Sequence, residues 1–253
     1  MNLFASMGKN KLKKFSENLT FRCLIQPQFE EVFRRDHPLK GRWRSEFFGN
    51  DRPIVLELGC GRGEYTVGLA EADPATNYIG VDIKGARMWR GAKTATENRM
   101  ANVAFLRTRI EFIDSFFAPG EVDQIWITFP DPQMNKRRVA KRLTAPGFLE
   151  RYARFLKPEG TIHLKTDSGH LHEYTKAVLA ANGMAPTVCC NDIYGPQGIA
   201  DAALAIKTAY ETRFLAEGLP ITYLQWSPRG RREFAVPDFP ADELLVGENT
   251  PVR

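Results

Sequence analysis

The sequence predicts an open, doubly wound α/β fold: a mostly parallel sheet with helices on both faces and an antiparallel edge strand. Three observations carry that prediction. From residue 54 onward, apolar runs alternate with segments of helical period. Runs such as "IVLEL" and "YIGVDI" are apolar nearly throughout, as strands covered on both faces must be. A glycine-rich turn, "GCGRG", joins the first run to the first helical segment.

In order, the strands fall at 54–58, 77–83, 103–107, 124–129 and 161–166. Helical periodicity covers 63–72, 84–99, 110–117, 146–156 and 169–182. Gly160, after "LKPE", is expected to end the fourth of these helices and admit the next strand. Past Gly183 the rhythm changes. "APTVCCND" reads as a strand, "ALAIKTAYETRFLAEG" as one helix stopped by Gly218, and "PITYLQW" as a last strand, suited to an antiparallel pair at the sheet edge. Residues 1–50 form a basic, helix-prone N-terminal extension, 51–226 the main domain, and 227–253 a poorly ordered tail.

At 253 residues and 43% hydrophobic, the chain buries a substantial core. Its net charge of +5 is mild, so the placement of the cations matters more than their sum. They cluster at Lys9–Lys14, at 136–142 and at 229–232. Four cysteines without a CxxC or zinc spacing indicate a reducing compartment and no disulfide framework. With no run of about 18 apolar residues and a polar N-terminus, neither a membrane span nor a signal peptide is expected, which implies the cytoplasm. His170 and His172 lack cysteine neighbours, and no metal site is expected there. Oligomeric state is left open.

Gly59, Gly61 and Gly63 lie between the first strand and its helix, where glycine lets backbone approach a ligand closely. Dinucleotide enzymes use a similar loop. Glu57, on the strand immediately before it, suits a cationic ligand better than a pyrophosphate. Asp82 ends the second strand about 20 residues after the loop, where an acid binds ribose hydroxyls or caps the following helix. Together these residues resemble the class I S-adenosylmethionine-dependent methyltransferases, whose fold is Rossmann-like. That resemblance implies S-adenosyl-L-methionine as cofactor, bound by Glu57, Gly59, Gly61 and Asp82. Arg109 stands near the adenine, where an Asp or Asn is usual; arginine can stack on the ring but accepts no hydrogen bond from its amine.

The fourth strand runs into "FPDP" and then into five cations, Lys136, Arg137, Arg138, Lys141 and Arg142. Its aspartate, Asp131, is expected outside the carboxyl end of the sheet, near the donor. "ELGCG" (57–61), "GVDI" (80–83), "FPDPQMNKRR" (129–138), "LKPEGTIHLKTD" (156–167) and "KTAYETRFLAEGLPITYL" (207–224) occur in order. The whole resembles the bacterial tRNA (guanine-N7)-methyltransferase family over roughly residues 50–226. The resemblance implies methylation of guanine 46 in the tRNA variable loop, with 51–226 as the catalytic domain and Asp131 as catalytic and donor-binding residue. It also implies RNA contacts by Asn135, Asp167 and the segment from Thr208 to Glu211. Position 135 is usually basic in that family and 133 usually tryptophan; here Asn135 and Gln133 stand there, and Lys136 and Arg137 are expected to take over the contact.

The basic run is read as a phosphate contact beside the base pocket, against the alternative of a solvated loop. Asp167 has the alternative of capping the 169–182 helix, and Glu211 of pairing with Arg213 or Lys207. The competing functional readings are a non-catalytic RNA-binding protein on a methyltransferase scaffold and another class I RNA or small-molecule methyltransferase.

Overall fold

The computed structural model describes residues 3–239 of the chain. Eight strands make one sheet: β1 (Leu24–Ile25), β2 (Ile54–Leu58), β3 (Asn77–Asp82), β4 (Val103–Arg107), β5 (Val122–Thr128), β6 (Leu156–Thr166), β7 (Val188–Cys190) and β8 (Thr222–Trp226). Their spatial order is β1-β4-β3-β2-β5-β6-β8-β7. The pairs from β1 through β6 are parallel, while β8 runs antiparallel to both β6 and β7. The helices are α1 (Leu3–Asn18), α2 (Phe29–Val32), α3 (Glu64–Ala72), α4 (Gly85–Glu97), α5 (Pro146–Tyr152), α6 (Gly169–Ala181), α7 (Ala202–Ala205) and α8 (Ala209–Ala216).

Alternation along β2 divides the interior into two cores. Ile54, Leu56 and Leu58 face Trp43, Phe116, Phe117, Phe155 and Trp226 on one side. Val55 faces Tyr65, Phe105, Trp126 and Tyr223 on the other. Both faces of the parallel sheet are therefore dry, which explains why its strands read as continuous apolar runs. Asp123 ties the start of the sheet together. It accepts from Arg44 Nη2 (2.9 Å) and the Ile54 amide (2.8 Å) and pairs with Lys157.

Several elements differ from the sequence expectation. Within the N-terminal 50 residues, β1 pairs with β4 and Trp43 is buried, its Nε1 donating to Phe116 O at 2.8 Å. Residues 110–115 form a 3-10 helix rather than an α-helix. Gly160 lies inside β6 and terminates no helix, because α5 stops at Tyr152 and pairing with β5 resumes at Leu156. The single helix expected from "ALAIKTAYETRFLAEG" is two, α7 and α8, since Thr208 caps a new helix instead of continuing the old one.

Residues 227–239, expected to lack order, have no regular element but are fastened. Phe234 is buried, and Asn182 exchanges hydrogen bonds with the Ala235 backbone at 2.8 and 3.1 Å. The remainder of that expected tail, 240–253, lies outside the described residues. No described helix is long and apolar enough to cross a membrane.

Candidate active site

The strand order reverses between β2 and β5, and at that point the connections leave a crevice outside the carboxyl ends of the strands. The loop 59–63 lines one side of it and the corner 129–133 the other. The loop is strapped to the end of β3. Gly59 and Cys60 donate their amides to Val81 O at 2.8 and 3.0 Å. Gly61, at φ +54°, donates to Asp82 Oδ2 at 2.9 Å. Asp82 Oδ1 accepts the Lys84 amide at 2.7 Å, so this acid organises loop and helix start together. Open space lies above the loop: a Cβ at Gly59 would meet nothing within 4 Å.

Glu57 takes a part beyond the one expected. It is 3% exposed, and its two oxygens accept from the hydroxyls of Thr66 on α3 and Thr128 on β5 (2.6 Å for the latter). Gly80, opposite Glu57 in the register, makes room for Thr66; a Cβ there would sit 2.6 Å from the Thr66 hydroxyl. Burial raises the Glu57 carboxyl above its ordinary value, and the two hydroxyls pull the other way. These bonds give Glu57 a positioning role beside the ligand contact expected of it. Glu57 joins the strand before the loop to the helix after it and to the strand that carries Asp131.

The same sheet row continues through Trp126 and His163. Their rings stack at 4.1 Å and 6°. His163 Nδ1 pairs with the Tyr223 hydroxyl (2.7 Å) and Nε2 with the Thr161 hydroxyl (3.0 Å). It is a buried histidine with both ring nitrogens partnered. Burial pushes His163 down to about 3. Because an unfolded histidine titrates near 6.5, the unfolded chain takes up a proton that the folded one refuses, and stability falls as pH drops from about 6.5 toward 3. At pH 5 the loss amounts to about 2 kcal/mol. Thermal melts from pH 8 to pH 5 check this: His163→Gln is expected to flatten the slope, and an unchanged slope would refute the assignment.

The corner after β5 is strained. Phe129 has φ +47° and Gln133 φ +49°, a left-handed conformation that residues with side chains rarely adopt. Pro130 and Pro132 fix the backbone between them. Asp131 is thereby held exposed at the apex, with Oδ1 accepting the Gln133 amide at 2.9 Å. Arg142 holds the corner from beneath. It is 1% exposed, donates from Nε to Pro132 O (2.9 Å) and from Nη2 to Gln133 O (3.3 Å), and meets His170 Nε2 at 2.9 Å. Its guanidinium carbon lies 4.4 Å from the Tyr174 ring centre.

One cation of the expected phosphate-binding run is therefore a clamp on backbone carbonyls. Arg137, Arg138 and Lys141 remain exposed on the 3-10 helix Lys136–Lys141, with Lys136 at its start. Asn135 caps that helix, its Oδ1 accepting the Arg137 amide at 2.9 Å.

Asp167 follows β6 directly, and Ser168, not Asp167, caps α6 through the Leu171 amide at 3.2 Å. Thr208 and Glu211 form a capping box on α8. Glu211 pairs with neither Arg213 nor Lys207. It is wholly buried against Lys165, also wholly buried, at 2.7 Å, and it accepts from Tyr194 Oη at 2.8 Å. Lys165 Nζ also donates to Leu204 O (2.8 Å) and Ile206 O (3.0 Å). The RNA contact expected of Glu211 therefore gives way to a structural role, because burial leaves it no surface. Between Thr208 and Glu211 the exposed residues are Ala209 and Tyr210. The sequence reading missed Lys165, Arg142 and Tyr194; only the T-x-x-E capping signature could have flagged part of this cluster. His172 is buried with its neighbour Cys189 Sγ at 3.8 Å. Arg109 is exposed, pairs with Glu111 at 3.0 Å, and lines a cavity of about 440 Å³ beside Ile83.

An acid at the end of β3, an open glycine floor and an adjoining cavity together fit the S-adenosylmethionine expected from the sequence. A family model described as a putative methyltransferase matches residues 51–224. A 16S rRNA methyltransferase, KamB, shares the fold with TM-score 0.55 at 15% identity, over 74% of this chain and 91% of its own. Fold and cleft thus define a Rossmann-like class I methyltransferase. Curated tRNA (guanine-N(7)-)-methyltransferases of Porphyromonas gingivalis and Christiangramia forsetii are 56% and 51% identical to this chain. The alignments cover 82% and 87% of this chain and 85% and 98% of theirs. A Listeria monocytogenes relative of the same name is 37% identical over 78% of this chain and 91% of its own. The chain belongs to the tRNA (guanine-N(7)-)-methyltransferase family.

Proposed function

We propose that this protein transfers a methyl group from S-adenosylmethionine to N7 of guanine 46 in the variable loop of tRNA. The observation that carries this reading is the corner 129–133, where one carboxylate is held rigidly at the crevice beside exposed cations. When bound, S-adenosylmethionine supplies a methyl group on a cationic sulfur. Guanine N7 already carries an in-plane lone pair, so no base is needed. The new N7–carbon bond forms as the carbon–sulfur bond breaks, and sulfur keeps the electron pair.

The work left to the chain is alignment and charge. Asp82 accepts from ribose hydroxyls with the lone pairs that Gly61 and Lys84 do not use. Asp131 accepts from the guanine N1–H and 2-amino group, fixing the base and offsetting the positive charge that arrives on the ring. Arg137, Arg138 and Lys141, with Lys136, hold phosphates and make binding salt-dependent. Gln133 Oε1, buried without a hydrogen-bond partner in the described structure, is a further acceptor at the same corner. A tRNA substrate agrees with the cytoplasmic setting expected from the cysteines.

The test incubates the protein with labelled S-adenosylmethionine and unmodified tRNA and maps the label. Methyl on guanine N7 at position 46 is the expected result; label on any other atom rejects the reading. Asp131→Ala is expected to abolish most turnover while affecting donor affinity less, and near-normal turnover would remove Asp131 from its assigned role.

A further inference from the structure

The donor site has a wall that neither the family motifs nor the glycine loop provides. The 440 Å³ cavity opens beside Ile83 and Thr108, the residues that directly follow Asp82 and β4. Its size lies within the usual range for small-molecule sites. The facing wall comes from the N-terminal segment, through Phe15, Gln26, Gln28 and Phe29. We propose that residues 15–32 complete the adenine pocket of the methyl donor, with Phe29 stacking on the purine and the Gln28 carboxamide accepting from its exocyclic amine. The proposal rests on the reading of the donor as S-adenosylmethionine.

Four observations support it. Phe29 and Ile83 are 50% and 53% exposed, large apolar groups lining one cavity and left open to it. Phe29 is braced as a stacking surface should be, with its ring 4.8 Å from Phe33 in parallel and 5.6 Å from Phe112 edge-on.

The segment is also pinned at the cleft. β1 pairs with β4, Asn18 Nδ2 donates to Gly85 O at 2.9 Å, and Trp89 Nε1 donates to Glu17 Oε2 at 2.6 Å. Finally, the side chain at the expected adenine contact, Arg109, supplies no acceptor. It occupies the rim and has only donors. Gln26 Oε1 is turned toward Arg107 Nη1 (3.5 Å). Gln28 sits at a fixed turn at the start of α2, its amide donating to Glu31 Oε2 at 2.6 Å, and it lines the cavity.

Calorimetry with S-adenosylhomocysteine and with S-inosylhomocysteine, which carries an oxygen in place of the amine, tests each part. Phe29→Ser is expected to weaken both ligands about tenfold, and Phe29→Tyr, which keeps the ring, to restore them. Gln28→Leu is expected to weaken only the adenosyl ligand, about tenfold, and so erase the preference for adenosyl over inosyl. Amide exchange across residues 19–32 is expected to slow when S-adenosylhomocysteine is added to the wild type. If the wild type binds that ligand but the variants match it in both affinities, the proposal is overturned and the donor reading stands. Protection of 19–32 by tRNA and not by S-adenosylhomocysteine also overturns it. A wild type that binds no S-adenosylhomocysteine removes the donor reading itself, and the proposal with it.

Discussion

Arg142→Lys is expected to lower single-turnover methylation by about 100-fold while S-adenosylhomocysteine affinity stays within about twofold. Lysine keeps the charge but not the planar fork, and the fork is what spans Pro132 O, Gln133 O and His170 Nε2. Without it the strained backbone at Phe129 and Gln133 is free to relax toward ordinary dihedrals, carrying Asp131 off the base. The donor loop at 59–63 is strapped to β3, on the other side of β2 from this corner. A rate loss accompanied by an equal loss of donor affinity would show that Arg142 supports the fold in general. A rate near wild type would show that the corner needs no clamp.

Lys165→Met is the second substitution with a large expected effect, and here the effect is on stability. The lysine spends its three protons on Glu211, Leu204 O and Ile206 O. Removing it leaves a carboxylate buried without its counter-charge, which costs about 3–5 kcal/mol and lowers the melting temperature by about 10 °C in a chain of this size. The double variant Lys165→Met with Glu211→Met is expected to recover part of that loss, because the stranded charge goes with its partner. Melts of the two single variants and the double variant decide the matter; strictly additive losses would mean the pair is not coupled. Segment 202–206 is the part expected to loosen first. It also touches α3, where Tyr65 Oη donates to Ala203 O at 2.7 Å.

The frame of this fold was legible because burial on both sides forces continuous apolar runs. Residues 54–58 and 103–107 are β2 and β4 to the residue. The glycine loop and Asp82 were legible for a related reason, since their spacing repeats a backbone geometry. β1 was not legible: two residues carry no periodicity, and their pairing with β4 is a property of the tertiary fold. Gly160 misled because "LKPEG" carries turn residues, yet the sheet resumes beside β5 before that turn is complete. Charges were the hardest to place. Arg142 is one of five neighbouring cations in sequence, and only the return of the chain beneath Pro132 separates it from the four that stay outside. Lys165 and Glu211 lie 46 positions apart, and neither residue announces the other.

The pairing of β1 with β4 has a consequence during synthesis. Leu24 meets Phe105, and Cys23 O accepts the Phe105 amide at 2.6 Å, so the first strand to leave the ribosome has no partner until some 80 residues later. At ordinary translation speeds that interval is roughly 4–16 s. For most of it α1 has no α4 to rest on, and throughout it the exposed Phe29 and Phe33 lack Phe112. The N-terminal wall thus cannot dock on the sheet until β4 has been made. Joined to the sheet by two strand residues and to α4 by Asn18 and Glu17, it is also the piece expected to open soonest in the finished protein while β2, β3 and β5 stay shut.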